Sequence, residues 1–233
     1  MISPAQGAAA GAVAIPEYLA RVYWWAYVHP AAVRLFEREW LVNLILWGNF
    51  GKLRDAAIDA LGPMQRRSLQ IGCVYGDLTA RLLKKVPEGG TLDVVDALPV
   101  QLQNLLRKLP PRSPVGLYQG DSSRLGFDSS SYDQALLFFL LHEQPGEARR
   151  RTIAEALRVV KPGGRLVIVD YHRPRALNPL FWPMVGVLRA LEPFALDLWR
   201  HELFDWFPGG TRPADARRRT VFGGLYQLLT ITV

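Results

Sequence analysis

The chain has 233 residues, 28 Lys and Arg against 21 Asp and Glu, and one cysteine, Cys73. That length builds its own core, and one cysteine excludes both a disulfide scaffold and a cysteine-rich zinc site. The 49% apolar and 21% charged content excludes a disordered chain. The net charge of +7 favours anionic partners or a solvated basic surface. The two arginine runs, Arg149 to Arg151 and Arg217 to Arg219, carry no interleaved aromatics, so no nucleic acid is expected as a partner.

Residues 1–14 are low in complexity and read as a disordered tail, because Ala8 to Ala14 lacks the basic flank of a signal peptide. Residues 15–62 read as an N-terminal helical cap or lid rich in aromatics. Pro30 suits a first helical turn, and Val33, Phe36, Trp40, Leu44 and Trp47 recur at three- and four-residue steps. Gly48 and Gly51 are expected to close that segment. The longest uncharged stretch of the C-terminal half, Ala176 to Leu188, has 13 residues and two prolines, against the ~20 that span a bilayer.

From residue 63 to 233 the pattern alternates. Strands are expected at Ser68–Cys73, Thr91–Val95, Val115–Gln119, Tyr132–Leu141 and Arg165–Tyr171. Helices are expected at Asp77–Val86, Pro99–Leu109 and Pro145–Val160, the last stopped by Pro162-Gly163-Gly164. Such alternation implies a parallel sheet with right-handed crossovers. A cap insertion at about 174–207 breaks the rhythm. Strands Arg219–Phe222 and Leu225–Thr232 then flank Gly223-Gly224, the signal of a two-residue hairpin.

The densest constellation follows the first strand. Gly72, Cys73 and Gly76 let the backbone turn tightly beside a ligand at a helix N-terminus. Asp96, 24 residues after Gly72, can accept both ribose hydroxyls. Asp121, next to Ser122, can take the exocyclic amine of a base. A nucleotide-type cofactor is the expectation. Tyr75 in the loop, with Tyr171 and His172 after the fifth strand, are the catalytic candidates. His201, Glu202 and Asp205 form His-Glu-x-x-Asp, where i and i+4 would share a helix face toward a metal, against the alternative of an exposed charged face.

This arrangement resembles the class I S-adenosylmethionine (SAM) methyltransferase fold over residues 68–233. That family's first loop usually reads Gly-x-Gly-x-Gly; here Val74 stands at the middle glycine and Tyr75 follows it. Longer strings are similar to the RquA family of rhodoquinone biosynthesis. They include Tyr23-Trp24-Trp25-Ala26-Tyr27-Val28-His29-Pro30, Val74-Tyr75-Gly76-Asp77-Leu78-Thr79, Phe138-Phe139-Leu140-Leu141-His142-Glu143-Gln144-Pro145 and Trp199-Arg200-His201-Glu202.

The resemblance implies conversion of ubiquinone to rhodoquinone, with an amino group replacing a ring methoxy group. SAM would be the amine donor and manganese would assist. Gly72, Tyr75, Gly76, Asp96 and Asp121 would hold the cofactor. A polyprenyl quinone substrate implies peripheral attachment to the inner membrane, on the cytoplasmic side or its mitochondrial equivalent. Segments 15–50 and 176–207, with Arg34, Arg38, Arg189 and Arg200, would meet that surface, unless their aromatics simply pack as core. Two other readings stay open: an ordinary SAM-dependent methyltransferase acting on a quinone or other lipid-soluble ring, and a non-catalytic membrane or scaffold module with this fold.

Overall fold

Apolar strands and one-sided helices assemble around a single sheet in the computed structural model, which describes residues 2–4, 14–23, 38–175, 177–210 and 212–233. Strands β2 (Arg67–Ile71), β3 (Thr91–Asp96), β4 (Val115–Gln119), β5 (Tyr132–Phe138) and β6 (Val160–Tyr171) run parallel. Strand β8 (Tyr226–Thr232) lies antiparallel between β6 and β7 (Arg217–Val221). With the short β1 (Ile2–Pro4), the order is β1-β4-β3-β2-β5-β6-β8-β7. β5 is buried along its length apart from a half-buried Asp133, and runs apolar from Ala135 to Phe138, as a central parallel strand covered on both faces requires.

The helices are α1 (Glu17–Val22), α2 (Glu39–Ile45), α3 (Phe50–Leu61), α4 (Leu78–Leu83), α5 (Pro99–Lys108), α6 (Gly146–Val159), α7 (Phe181–Leu191) and α8 (Asp197–Arg200). In α3, Phe50, Leu53, Ala57, Ile58 and Leu61 fall on one face and are buried, the spacing of an amphipathic helix. The Gly223-Gly224 turn forms as expected: both residues sit in the left-handed region, at φ 64° and 88°.

Four expectations are corrected. Ile2–Pro4 is no tail: it pairs with Leu117–Gln119 of β4, whose outer edge would otherwise leave backbone donors and acceptors open. Gly51 does not end a helix; the break falls at Trp47 and Gly48, at φ 52° and 75°, and α3 runs through Gly51. The aromatic stripe does not pack as core where it is described. Trp40, Leu44 and Trp47 are 60%, 65% and 41% exposed, while Val33 and Phe36 lie outside the described residues. The run Arg149 to Arg151 is not wholly surface. Arg149 is fully buried and donates to the carbonyls of Leu141, Gln144 and Phe194 at 2.8–2.9 Å, its guanidinium 4.7 Å from the Trp206 ring centroid. The residue thereby fastens the inserted segment to α6. Arg217 to Arg219 are exposed on the edge strand β7, where charge discourages edge pairing.

Candidate functional site

Strand order reverses between β2 and β5, so a crevice opens at their carboxyl ends. The loop after β2 lines it. Gly72 and Gly76 take φ 87° and 82°, and a Cβ on Gly76 would meet Phe50 Cζ at 2.9 Å. Beneath the loop, buried Gln70 donates to the Gly72 carbonyl at 3.0 Å and accepts from Thr79 Oγ1 at 2.9 Å. Asp96, at the end of β3, accepts from the backbone N–H groups of Cys73 and Leu98 at 2.7 and 2.8 Å. Burial nevertheless pushes its carboxyl up to about 6, against those two bonds.

Gly72, Cys73, Asp96, Asp121 and Ser122 all line this first cavity. Asp121 Oδ1 accepts from Ser123 N at 2.8 Å, and Ser122 Oγ accepts from Gln144 Nε2 at 2.8 Å. Tyr18 and Leu19 of α1 close over it, with the Tyr18 phenol held protonated by burial. Two expected cofactor residues are placed elsewhere. Gly76 shapes the loop and offers its carbonyl to Lys108 Nζ at 3.0 Å. Tyr75 turns away, its hydroxyl accepting from Gln101 Nε2 at 2.8 Å.

A second cavity of about 440 Å³ adjoins the first. Leu41, Val42 and Ile45 of α2 and Met184, Val187, Leu188 and Leu191 of α7 make its apolar walls. Val74, Tyr75, His142, Tyr171 and Glu192 complete it, and Cys73, Gln101, Phe138, Phe139 and Glu143 line both cavities. Phe139 stands at the junction with φ 53°, its ring edge-on to those of His142 and Tyr171 at 5.9 and 5.4 Å.

The ionisable groups here are strongly biased. Burial raises the Tyr171 phenol well above its ordinary range, so at neutral pH it is a hydrogen-bond donor and not a base. Burial works against a charge on His142, but Asp170, 3.0 Å from Nδ1, outweighs it and lifts the imidazole to about 9. Burial also raises the Glu192 carboxyl, and His142 only partly offsets this. Glu192 Oε2 is buried without a hydrogen-bond partner.

Other candidates do not converge on the crevice. His172 lines neither cavity; its backbone N–H and Nδ1 are spent on the hairpin carbonyls of Leu225 and Gly224, both at 2.8 Å. His201, Glu202 and Asp205 are not arranged as ligands of one ion. Helix α8 ends at Arg200, so His201 and Asp205 do not share a helix face, although His201 Nδ1 lies 4.0 Å from Asp205 Oδ2. Glu202 and Asp205 instead form the reciprocal cap of the turn Leu203–Trp206, and Glu202 pairs with Arg218. Among the described residues no three His, Cys, Asp or Glu side chains are grouped to hold a metal, so manganese does not fit them. Gln70, Gln101, Asp170 and Glu192 went unnoticed in the sequence. Gln70 and Asp170 left a signal, each being a polar residue inside an apolar strand run.

The sheet, the glycine loop and the carboxylates at the ends of β3 and β4 define the class I SAM-dependent methyltransferase fold, Rossmann-like with an antiparallel closing hairpin. Residues 69–164 match the methyltransferase domain family. Among solved structures it is similar to a SAM-dependent methyltransferase from Aquifex aeolicus. That match has a TM-score of 0.52 and 15% identity, over 87% of this chain and 97% of the other. It is also similar to PigF with SAH, with a TM-score of 0.64 and 18% identity, over 91% and 62%. Curated relatives include an uncharacterized methyltransferase of Synechocystis, 29% identical over 72% of this chain and 74% of the relative. A 2-phytyl-1,4-naphtoquinone methyltransferase of Nostoc punctiforme is 28% identical over 66% and 71%. A demethylmenaquinone methyltransferase of Bacillus licheniformis is 26% identical over 78% and 82%.

Proposed function

We propose that this protein is a SAM-dependent transferase whose acceptor is the ring of a lipid-soluble polyprenyl quinone. One observation carries the reading: a carboxylate-lined cavity suited to a nucleoside shares five residues with an apolar cavity suited to a prenylated ring. Gly72 and Cys73 leave backbone room for the cofactor, Asp96 accepts its ribose hydroxyls and Asp121 its base amine. SAM, when bound, supplies the activated group. Leu188 and Met184 hold the ring by contact, while the hydroxyls of Tyr75 and Tyr171, the latter held protonated by burial, face its oxygens. Trp40, Leu44, Trp182 and Leu191 are exposed on the same two helices that wall the acceptor cavity. They suit docking on a lipid surface from which the quinone is drawn. No helix of the described residues is long and apolar enough to cross a membrane.

Two of the relatives named above are quinone methyltransferases, which supports methyl transfer to the ring. A second reading, replacement of a ring methoxy group by the amine of SAM to give rhodoquinone, is favoured by a specific observation. Val74 occupies the loop position where the fold usually has glycine, Tyr75 follows it, and both face the acceptor cavity. A module without chemistry would need neither cavity. The test supplies SAM labelled with heavy nitrogen at the α-amine or with heavy carbon at the methyl, and weighs the quinone product. Heavy methyl with the ring methoxy groups retained establishes methyl transfer. Heavy nitrogen with loss of methoxy establishes amination. A quinone left at its original mass overturns the transferase reading.

A further inference from the structure

We propose that His142, positioned by Asp170, forms an oxyanion site in the acceptor cavity, donating from Nε2 to an oxygen of the acceptor ring. The inference rests on the quinone reading above and holds for either group transferred.

β6 runs apolar through Val167, Ile168 and Val169 and then buries Asp170 completely. Asp170 Oδ2 accepts from the backbone N–H groups of Leu141 and His142 at 2.8 and 3.3 Å, and Oδ1 accepts from Tyr171 N at 2.7 Å. That holds the turn Leu141–Glu143 while Oδ1 engages His142 Nδ1 at 3.0 Å. With Nδ1 committed, Nε2 is the atom available to a ligand, since Glu143 Oε1 stands 3.9 Å from it, beyond hydrogen-bond reach. The Tyr171 ring packs edge-on at 4.9 Å and fixes the imidazole plane.

The groups facing this imidazole from the packed elements are Asp170, Glu143, Glu192, Tyr171 and, beyond Glu192, Tyr23. The three carboxyl groups favour the imidazolium. Among the described residues lining the acceptor cavity, only His142 can carry a positive charge. The chemistry requires one. A quinol ring carbon that takes a methyl is activated by negative charge on its phenolic oxygen. A quinone ring carbon that takes an amine sends its electrons to the conjugated carbonyl oxygen. Both routes pass through negative charge on a ring oxygen, before methyl transfer in one and during amine addition in the other, and a fixed cation in an apolar cavity is where that charge is best stabilised.

The experiment titrates the full chain with two probes, neutral 1,4-naphthoquinone and the anion of 2-hydroxy-1,4-naphthoquinone. The expected result is at least tenfold tighter binding of the anion. That preference falls below about threefold in His142→Gln and His142→Phe, read as the ratio of the two affinities within each variant. In Asp170→Asn the pH at which the preference disappears moves down from about 9 toward 6.5. Should these variants fail to fold, the wild-type chain still decides, because its anion preference must vanish as pH rises through about 9. A preference that persists in folded His142 variants, or that ignores pH, overturns the site. Equal binding of both probes overturns the oxyanion site alone, whereas binding of neither overturns the quinone reading and the site with it.

Discussion

The first cavity is built on strand ends and the glycine loop; the second is walled by side chains borne on two helices. Gly72 has its carbonyl tied to Gln70 and its φ fixed at 87°, and Asp96 is locked by two N–H donors. Little there can change without moving a strand end. The acceptor walls are Leu, Val, Ile and Met projecting from α2 and α7, and several of those positions reach solvent. Such walls repack cheaply, since volume-conserving apolar exchanges cost under ~1.5 kcal/mol. On the proposed function, a rigid half that holds one cofactor is joined to an adaptable half whose occupant can vary.

The sharpest break in that contrast is Arg149, a rigid anchor serving the adaptable half. Arg149→Ala strips charge-assisted donors from three carbonyls and is expected to cost about 3 kcal/mol or more in denaturant unfolding. Loss below about 1 kcal/mol would show that the insertion docks without it. On the rigid side, Asp96→Ala removes the expected ribose acceptor and should weaken SAM binding 10- to 100-fold by calorimetry, or ~1.5–3 kcal/mol. Unchanged affinity would mean the cofactor lies elsewhere.

A smaller effect tests the junction between the halves. His142 has a folded pKa of about 9, above its ordinary 6.5. The folded state therefore binds the proton more tightly, so this stabilisation is full below 6.5 and is lost as pH rises to about 9. Melting curves across that window should show the decline, and His142→Gln should flatten it. The smallest effect on stability belongs to the outer face. Trp182→Ser and Leu44→Ser should shift unfolding by no more than ~0.5 kcal/mol. Sedimentation with anionic liposomes should nonetheless weaken, and raising salt should weaken it further for the parent chain. Undiminished sedimentation would remove the lipid-docking role of these two helices.

The rigid half is the one the sequence discloses. Parallel strands write themselves as short apolar runs, and the glycines, Asp96 and Asp121 sit at strand ends where only their spacing is needed to see them. The edges blurred where a regular pattern overshot: β5 stops at Phe138 because Phe139 turns into the left-handed region, which no apolar run announces. The adaptable half is hidden because its residues meet only in three dimensions. Glu192 reaches His142 across 50 positions, and Gln101 reaches Tyr75 across 26. His201 and Asp205 misled for the opposite reason: their spacing fits a helix, but the chain there is extended at His201 and then tightens into a short turn.

Phe139 is held in its unusual backbone geometry at a cost of ~1–3 kcal/mol, pinned by a bond from its N–H to the Val169 carbonyl at 2.8 Å. The torsion fixes where the Cα–Cβ bond of Phe139 points, so its ring can turn only about its own side-chain bonds. The aperture between the two compartments therefore has a narrow range of calibres. On the proposed function, an acceptor would be gauged at its leading edge, where one extra ring substituent would decide admission, while a trailing chain lying between α2 and α7 would go unmeasured.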